Sequence, residues 1–217
     1  MRLKLFPEVY LSIAYLPPIN YFTKLLAANK VYIEQHENYL KQSYRTRCDI
    51  YAANGAMQLN IPIERVKGNK MPIKEVKIDY SQNWQHIHWQ SIISAYQSSA
   101  FFEYYIDDLL PFYTKKELFL FDFNIKLLDK MLELTGIKAD IYFTEEYLHK
   151  PDYTEYDYRL SISPKPRLQQ PDPYFKTIKY YQVFGNKHSF MPNLSIIDLL
   201  CNEGNNTVSI LQESVRK

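Results

Sequence analysis

The sequence has 217 residues, a length that suits one domain with a full-sized hydrophobic core. Hydrophobic residues make up 46% of it and charged residues 23%, which excludes a chain that is disordered throughout. The formal net charge is only +2, with basic and acidic residues interspersed. Nucleic-acid binding usually needs a concentrated basic face, so this composition argues against a nucleic-acid partner.

Tyrosine is unusually abundant, with 20 residues against only 5 glycines. Tyrosine combines an apolar ring with a hydroxyl group that needs a partner when it is buried. A chain so rich in tyrosine is expected to have many half-buried positions, as at the wall of a cleft. The few glycines form neither a glycine-rich phosphate loop nor a Gly-x-Ser-x-Gly elbow, which argues against a P-loop enzyme or a serine hydrolase.

The N-terminal sequence and the cysteines predict a cytoplasmic protein. Pro7 and Glu8 interrupt the first apolar run and no small-residue cleavage site follows, so a signal peptide is not indicated. No apolar stretch approaches the length of a membrane span. Cys48 and Cys201 are isolated, which favours two reduced thiols over a disulfide framework, although a single bridge between them stays open.

A βαβ unit is predicted at the start of the chain. Val9–Ile13 is a short apolar run typical of a strand, and Val31–Ile33 is a second, β-branched one. Between them Pro17 and Pro18 are suited to a first helical turn. The apolar face of the predicted helix consists of Tyr21, Phe22, Leu25 and Leu26. Strand, helix and strand in this order predict a parallel sheet.

A β-hairpin is predicted next. Asn54-Gly55 separates Ile50–Ala52 from an alternating apolar run, and Asn-Gly suits the positive φ angles of a tight hairpin turn. The alternating run consists of Met57, Leu59 and Ile61. A further strand is predicted over residues 73–78, where Ile73, Val76 and Ile78 are apolar.

From Asn83 onward the hydrophobic period becomes helical. Trp84, His88, Ile92 and Tyr96 are spaced four residues apart and share one stripe of a helix. The aromatic stretch Phe101–Tyr113 is expected to be interrupted at Pro111. Glu117–Thr135 has apolar residues three and four apart, and Gly136 follows where a C-terminal glycine cap is expected.

The last third of the chain begins with a proline-rich stretch. Residues 151–173 show little periodicity, and they predict a long ordered loop or lid and not a linker between domains. A strand at Tyr180–Phe184 and a helix at Ser195–Cys201, capped by Asn193 or Ser195, are expected afterwards. The whole sequence therefore predicts one α/β domain over residues 1–217, with a mixed sheet, an N-terminal βαβ unit, a β-hairpin and flanking helices.

A basic loop after the second predicted strand is the first candidate binding site. It contains Lys41, Tyr44, Arg45 and Arg47, and ligand-binding loops of open α/β sheets often follow strands in this way. Arginine can hold a phosphate or carboxylate through two parallel hydrogen bonds. The alternative is a solvated loop whose cations pair with acidic residues nearby, namely Glu34, Glu37 and Asp49. The residues alone leave both interpretations open.

His88 is the candidate catalytic residue. Its stripe places it beside Trp84 and Ile92, so it points inward or lines a cleft, where an imidazole can act as general acid or base. The alternative is a hydrogen-bonded histidine in the core. The histidines and cysteines have no metal-ligand spacing, so no metal site is predicted, and the sequence indicates no particular cofactor.

Taken in order, these segments resemble the WbqC-like protein family. The resemblance rests on Tyr15-Leu16-Pro17 with Tyr21-Phe22, on Lys41 to Arg47, on Leu59 to Pro62, on Trp84, His88 and Tyr96, and on Pro192 to Leu200. Each motif alone is weak, but their order and spacing together are fairly specific. The resemblance extends over nearly all of the chain.

The resemblance implies a cytosolic transferase in O-antigen or other surface-polysaccharide biosynthesis. Members of the family occur among bacterial genes for these polysaccharides, and aminoacyl, glycine or acyl transfer to a sugar amine has been proposed for some of them. The implied ligand is a small anion, such as a nucleotide sugar or an acyl donor. Arg45 and Arg47 would then hold the anion, His88 would accept a proton from the amine, and Trp84 or Tyr44 would stack on the ligand.

One departure from the family pattern affects this expectation. The family commonly reads His-Gln-Pro-Asn ahead of Tyr-Leu-Pro, whereas this chain has Leu11-Ser12-Ile13-Ala14. The chain therefore lacks that polar tetrad. A non-catalytic ligand-binding or protein-interaction role is the alternative that this departure favours.

Overall fold

A computed structural model of the chain describes residues 5–65, 70–149 and 156–216. The predicted α/β fold class is confirmed, with a parallel three-stranded sheet, a separate antiparallel hairpin and flanking helices. None of the helices in the described ranges combines the length and apolar character that a membrane crossing requires. The strands are β1 Phe6–Ser12, β2 Ala28–Glu34, β3 Arg47–Ala52, β4 Gly55–Asn60 and β5 Ile141–Phe143. The helices are α1 Ile19–Ala27, α2 Trp84–Tyr96, α3 Ile106–Thr114, α4 Leu120–Thr135, α5 Gly185–His188, α6 Ile196–Glu203 and α7 Thr207–Ser214.

The predicted βαβ unit consists of β1, α1 and β2. The two strands are parallel, with Val9 opposite Val31 and Leu11 opposite Ile33. These four side chains are fully buried and form one face of the sheet, as the alternation of a strand requires. β5 adds a third parallel strand beside β2. β5 was not predicted from the sequence, because a three-residue strand has too few alternating residues to be distinguished from a loop.

The predicted hairpin is also confirmed, although its turn lies one residue earlier than the predicted Asn54-Gly55. Cys48 pairs with Leu59 and Ile50 with Met57 in an antiparallel ladder. The two-residue turn is Ala53-Asn54, and Gly55 begins β4 with a φ of +108°. The loop of residues 41–46 leads directly into this hairpin, so the hairpin fixes the position of the candidate basic residues.

Two predicted strands are wrong. Residues 73–78 form a short 3₁₀ turn, Ile73–Glu75, followed by single bridges that place Ile78 opposite Ile63 and Lys77 opposite Phe119. Their apolar side chains are buried because the segment packs against the start of α4, and this burial produced the strand-like pattern. The segment Tyr180–Phe184 forms no strand because its polar side chains bind α6 and take the place of a backbone ladder.

The helical predictions hold with three corrections, one of which is that α5 was not predicted. α3 continues through Pro111, so the predicted interruption is wrong; the proline removes one N–H from the helix, yet Lys115 still donates to its carbonyl 3.0 Å away. α7 was missed altogether. α2 and α4 match the periodic patterns, and Ser195 caps α6 through its hydroxyl, which accepts from the Ile197 amide.

The proline-rich stretch is only partly described, because residues 151–155 fall outside the described ranges. Residues 156–173 contain one 3₁₀ turn, Pro166–Leu168, and otherwise irregular backbone. They begin alongside β1, where the Tyr158 amide donates to the Tyr10 carbonyl at 2.9 Å. This part of the expected ordered loop packs on the sheet, and its role as a lid stays a prediction.

The cap of α4 provides a test of the backbone analysis. Gly136 has a φ of +70°, and a Cβ added there would meet no atom within 4 Å. We expect Gly136→Ala to lower the free energy of unfolding by about 1 kcal/mol, because only the cost of a left-handed residue is added. Thermal unfolding measures this change. Gly185→Ala is the matched control, and an equal loss in both variants would contradict the analysis.

Candidate functional site

A polar cleft lies beyond the carboxyl end of β1, the end of a parallel sheet where ligands commonly bind. Its volume is about 290 Å³. Amides and hydroxyl groups dominate its wall, with one carboxylate and the rings of Tyr44 and Phe175. A much smaller cavity beside it is lined by Ser12, Ala14, Tyr44 and Arg45, so Tyr44 borders both spaces. The lining residues of the cleft are Asn20, Tyr44, Ser161, Ser163, Gln169, Gln170, Asp172, Phe175 and Asn193.

Arg45 is buried beside this cleft in an ion pair with Glu37. Its Nε donates to Glu37 Oε1 at 2.7 Å, and its Nη2 donates to Glu37 Oε2. Ser12 at the end of β1 joins the pair, donating to Glu37 Oε2 at 2.9 Å and accepting from Arg45 Nη2 at 2.6 Å. Two parallel hydrogen bonds between a guanidinium and a carboxylate make a strong, oriented contact. The positive charge of Arg45 is therefore compensated inside the protein.

A second buried carboxylate, Glu34, ends β2 and is fully enclosed. Arg159 donates from Nη1 to Glu34 Oε2 at 2.8 Å, and its guanidinium also forms two hydrogen bonds with Asp157, at 2.9 and 2.8 Å. Thr144, which follows β5, donates its hydroxyl to Glu34 Oε1 at 2.8 Å. This network fixes the start of the 156–173 segment, and so one wall of the cleft, to the sheet.

The far end of the same segment is fixed to α1 by Lys24 and Asp172. Lys24 is fully buried, and its Nζ lies 2.6 Å from Asp172 Oδ2 and 4.6 Å from the centre of the Tyr158 ring. Burial lowers the pKa of Lys24, and the hydrogen bond and charge of Asp172 counteract that effect. Asp172 is also the carboxylate of the cleft wall. The cleft therefore has its one acidic group in contact with a buried cation.

Further cations gather on the flank of the cleft. Lys165 follows the cleft residue Ser163, and partial desolvation together with the charges of Arg167, Arg47 and Arg45 lowers its pKa. Arg47 is half-buried, and its Nε has no hydrogen-bond partner among the described residues. Lys41 is exposed at the start of the loop. Because Arg45 is already paired with Glu37, Arg47 and Lys165 are the cations best placed to attract an anion.

His88 lies within the aromatic interior on α2 and is 4% exposed. Its Nδ1 is 3.0 Å from the Tyr15 hydroxyl, and the ring also bonds the backbone of Asn60. Because the ring donates to that backbone, Nδ1 is the nitrogen that accepts from Tyr15. The edge of Trp84 packs against it with ring centres 5.0 Å apart. Burial lowers the pKa of His88 to about 4, so the imidazole is neutral near pH 7.

The structure thus divides the predicted site residues into two groups. Tyr44 borders the cleft, Arg45 borders the smaller cavity beside it, and Arg47 lies within electrostatic reach of Lys165. His88, Trp84 and Tyr96 are buried on α2 and are not among the lining residues of the cleft. The catalytic role of His88 and the ligand-binding roles of the remaining residues stay predictions.

The burial of two acidic residues, Glu37 beside the cleft and Asp198 on α6, was not predicted from the sequence. Glu37 was considered only as a solvated partner of the basic loop, whereas it is 6% exposed. Asp198 on α6 is fully buried and accepts from Tyr180 at 2.6 Å and from Gln182 at 3.0 Å; burial raises its pKa to about 6. The signal that was available for Glu37 was its spacing, eight residues before Arg45. No group of three or more potential metal ligands occurs in the described part of the chain.

The Arg45–Glu37 pair predicts a large loss of stability when one partner is removed. We expect Arg45→Met to lower the free energy of unfolding by roughly 3–5 kcal/mol, because it leaves the Glu37 carboxylate buried and unpaired. Denaturant unfolding measures the loss. The matched control is Lys126→Met, which breaks the exposed pair with Glu117 and should cost about 1 kcal/mol or less. Losses of similar size in the two variants would contradict a buried, compensated Arg45.

The lowered pKa of His88 predicts a pH-dependent contribution to stability. Between pH 6.5 and about 4, His88 is protonated in the unfolded chain and neutral in the folded protein. The free energy of unfolding therefore decreases as the pH falls. We expect the unfolding free energy of the wild type, minus that of His88→Gln, to decrease by about 3 kcal/mol across this range. A difference that stays constant with pH would show that the imidazole is accessible to solvent.

Comparison with known proteins assigns the chain to a family. The model of the WbqC-like protein family matches residues 14–166, which is more than half of the chain and includes the basic loop, α2 and four of the nine residues that line the cleft. Comparison with curated proteins and with solved structures gave no match. The chain belongs to the WbqC-like protein family.

Proposed function

We propose that this protein binds a small anionic ligand that also carries several hydroxyl groups, as a nucleotide-linked sugar does. The observation that carries the proposal is the polar cleft of about 290 Å³, with Lys165 two residues beyond the cleft residue Ser163 and Arg47 within electrostatic reach of Lys165. Its volume is near the lower end of the range for small-molecule sites. Amide and hydroxyl side chains suit the many donors and acceptors of a sugar, and Tyr44 and Phe175 offer rings on which it can rest.

The cleft wall contains polar atoms that no described residue satisfies. Asn20 Oδ1 and Ser161 Oγ are buried, and neither has a hydrogen-bond partner among the described residues. A buried polar atom without a partner costs free energy, and a ligand hydroxyl or an ordered water can offset this cost. Arg47 Nε is likewise buried and has no hydrogen-bond partner among the described residues. Hydroxyl groups of the ligand would thus supply the hydrogen-bond partners that these atoms lack.

The activity that we propose is transfer of an aminoacyl, glycyl or other acyl group to a sugar amine in the cytoplasm, during assembly of O-antigen or another surface polysaccharide. Membership of the WbqC-like family supports this choice of reaction, and the cleft supports the choice of ligand. Arg47 and Lys165 would hold the anionic group while Tyr44 positions the sugar. Arg45 would act through its ion pair, keeping Tyr44 and Arg47 in place.

A non-catalytic ligand-binding role is the second candidate, and the environment of His88 favours it. The imidazole is enclosed and hydrogen-bonded on both sides, by Tyr15 and the backbone of Asn60. Leu11 and Ala14, which replace the histidine and the asparagine of the family tetrad, are buried in the core. A protein with these features can retain the cleft and its ligand without carrying out a transfer reaction.

Thermal unfolding in the presence of ligands tests the proposed binding. We expect a uridine diphosphate sugar to raise the melting temperature more than uridine diphosphate or the free sugar, because a ligand that binds only the folded state stabilises it by mass action. Arg47→Ala and Lys165→Ala should remove the shift. Lys30→Ala, at the opposite end of β2, should leave it unchanged. Shifts that are absent with every anionic ligand, or equal in all variants, would contradict the proposed site.

Mass spectrometry separates the two candidate functions once a binding ligand is known. The protein is incubated with an amino-sugar nucleotide and an acyl thioester, and the molecular mass of the sugar product is measured. A gain equal to one acyl group, lost in Arg47→Ala, supports the transferase. Binding that yields no product supports the non-catalytic role.

A further inference from the structure

The wall of the cleft contains one charged side chain, that of Asp172. Every other lining residue is an amide, a serine or an aromatic residue. The side chain of Asp172 is 13% exposed, so it is only partly closed off from the cleft. A single charge among neutral hydrogen-bonding groups is the feature by which a small-molecule site selects ligands by their charge.

The two carboxylate oxygens of Asp172 have different surroundings. Oδ2 is buried and lies 2.6 Å from Nζ of Lys24, which is itself enclosed beside the rings of Phe6 and Tyr158. Oδ1 accepts from the Tyr174 amide at 3.1 Å. A carboxylate can accept about four hydrogen bonds, so Oδ1 retains a free acceptor position. Because Oδ2 is closed off by the ion pair, Oδ1 is the oxygen that can serve a ligand.

The buried charge of Lys24 does not cancel the attraction of Asp172 for a cation in the cleft. A ligand ammonium group at Oδ1 would be in direct contact with the carboxylate, whereas Lys24 would lie on its far side, at Oδ2. Coulomb energies decrease with distance, so the attraction at contact exceeds the repulsion across the carboxylate. Lys24 therefore weakens the attraction and at the same time fixes the orientation of the carboxylate.

The cationic flank of the cleft lies apart from Asp172. Partial desolvation and the charges of Arg167, Arg47 and Arg45 lower the pKa of Lys165, and no carboxylate of the described residues counteracts them. The positive and negative groups around the cleft are therefore separated. This arrangement suits a ligand that has an anionic group at one end and a cationic group at the other.

A second hydrogen-bond acceptor is positioned by the same helix as the ion pair. Asn20 and Lys24 are four residues apart on α1, so they share one face of the helix. Asn20 lines the cleft, and its Oδ1 has no hydrogen-bond partner among the described residues. An ammonium group has three N–H donors and no acceptor, whereas a hydroxyl group has one donor. Two acceptors on this side of the cleft therefore favour an amine over a hydroxyl.

We propose that Asp172 binds the amino group of the ligand, so that the sugar held in this cleft is an amino sugar with a free amine. The proposal rests on the function proposed above, and it assigns the cleft to the acceptor of the transfer. The Phe175 amide donates to the Asp172 carbonyl at 3.2 Å, so a sugar that rests on the Phe175 ring lies beside the carboxylate. The phosphate groups of the same ligand would lie at Arg47 and Lys165.

Calorimetric titration with two sugar nucleotides tests the proposal. Uridine diphosphate glucosamine and uridine diphosphate glucose differ in one group, an amine in place of a hydroxyl. In a mildly acidic buffer, where the amine is protonated, we expect the wild type to bind the amino sugar about tenfold more tightly, because a hydrogen bond between charged groups replaces a weaker one. Equal dissociation constants would overturn the role of Asp172 and leave the proposed function intact. Binding of neither ligand would contradict both.

Two variants separate recognition of the amine from a purely structural role of Asp172. Lys24→Met removes the competing cation, so the preference for the amino sugar should increase about threefold. Lys24→Met combined with Asp172→Asn leaves no buried charge unpaired, and the two dissociation constants should become equal. The matched control is Asp122→Asn, on α4 and outside the lining of the cleft, which should leave their ratio unchanged. A double variant that still prefers the amino sugar would show that Asp172 only holds Lys24, and would overturn the proposal.

Discussion

Two buried carboxylates at the carboxyl end of β2 hold the candidate site together. Glu34 pairs with Arg159 and Glu37 pairs with Arg45, and both pairs lie within the protein. Taking such charges out of water costs several kcal/mol for each ion, and the cost is offset only when each charge meets an oriented partner. The chain must therefore bring the basic loop and the 156–173 segment to the end of β2 in order to fold. In doing so it builds two walls of the cleft.

This constraint changes the roles of the cations. The charge of Arg45 is compensated by Glu37. Arg45 therefore positions its neighbours Tyr44 and Arg47 and does not itself attract a ligand. The charge of Lys24 is similarly compensated by Asp172, and this ion pair fixes the end of the 156–173 segment to α1. The net positive charge that remains near the cleft comes from Arg47, Lys165 and Arg167. Ligand binding and folding thus use different members of one basic cluster.

The parts of the fold that sequence could predict are those with enough repeats of one period. α4 and the hairpin have such repeats, and each is flanked by a glycine with a positive φ angle, Gly136 after α4 and Gly55 after the hairpin turn. β5 has three residues, too few for a period. Residues 73–78 show the opposite failure, because burial against α4 gave a non-strand segment the apolar pattern of a strand.

The candidate site was less predictable, because charge compensation depends on partners that are distant in the sequence. Arg159 reaches Glu34 across 125 residues, and Lys165 comes within electrostatic reach of Arg47 only after the 156–173 segment has folded back onto the sheet. The stripe on α2 did predict that His88 points inward. The stripe does not tell whether the side chain lines a cleft or lies in the core. That depends on the hydrogen bond between the imidazole and the Tyr15 hydroxyl, and Tyr15 belongs to another segment of the chain.

The central claim is that these ion pairs shape a cleft for an anionic, hydroxyl-rich ligand. A crystal structure of the protein grown with a uridine diphosphate sugar tests it most directly. The account predicts phosphate oxygens within hydrogen-bond distance of Arg47 and Lys165, the sugar between Tyr44 and Phe175, and an unbroken Arg45–Glu37 pair. Phosphates bound by Arg45 after it has left Glu37, or a ligand seated against His88, would contradict it.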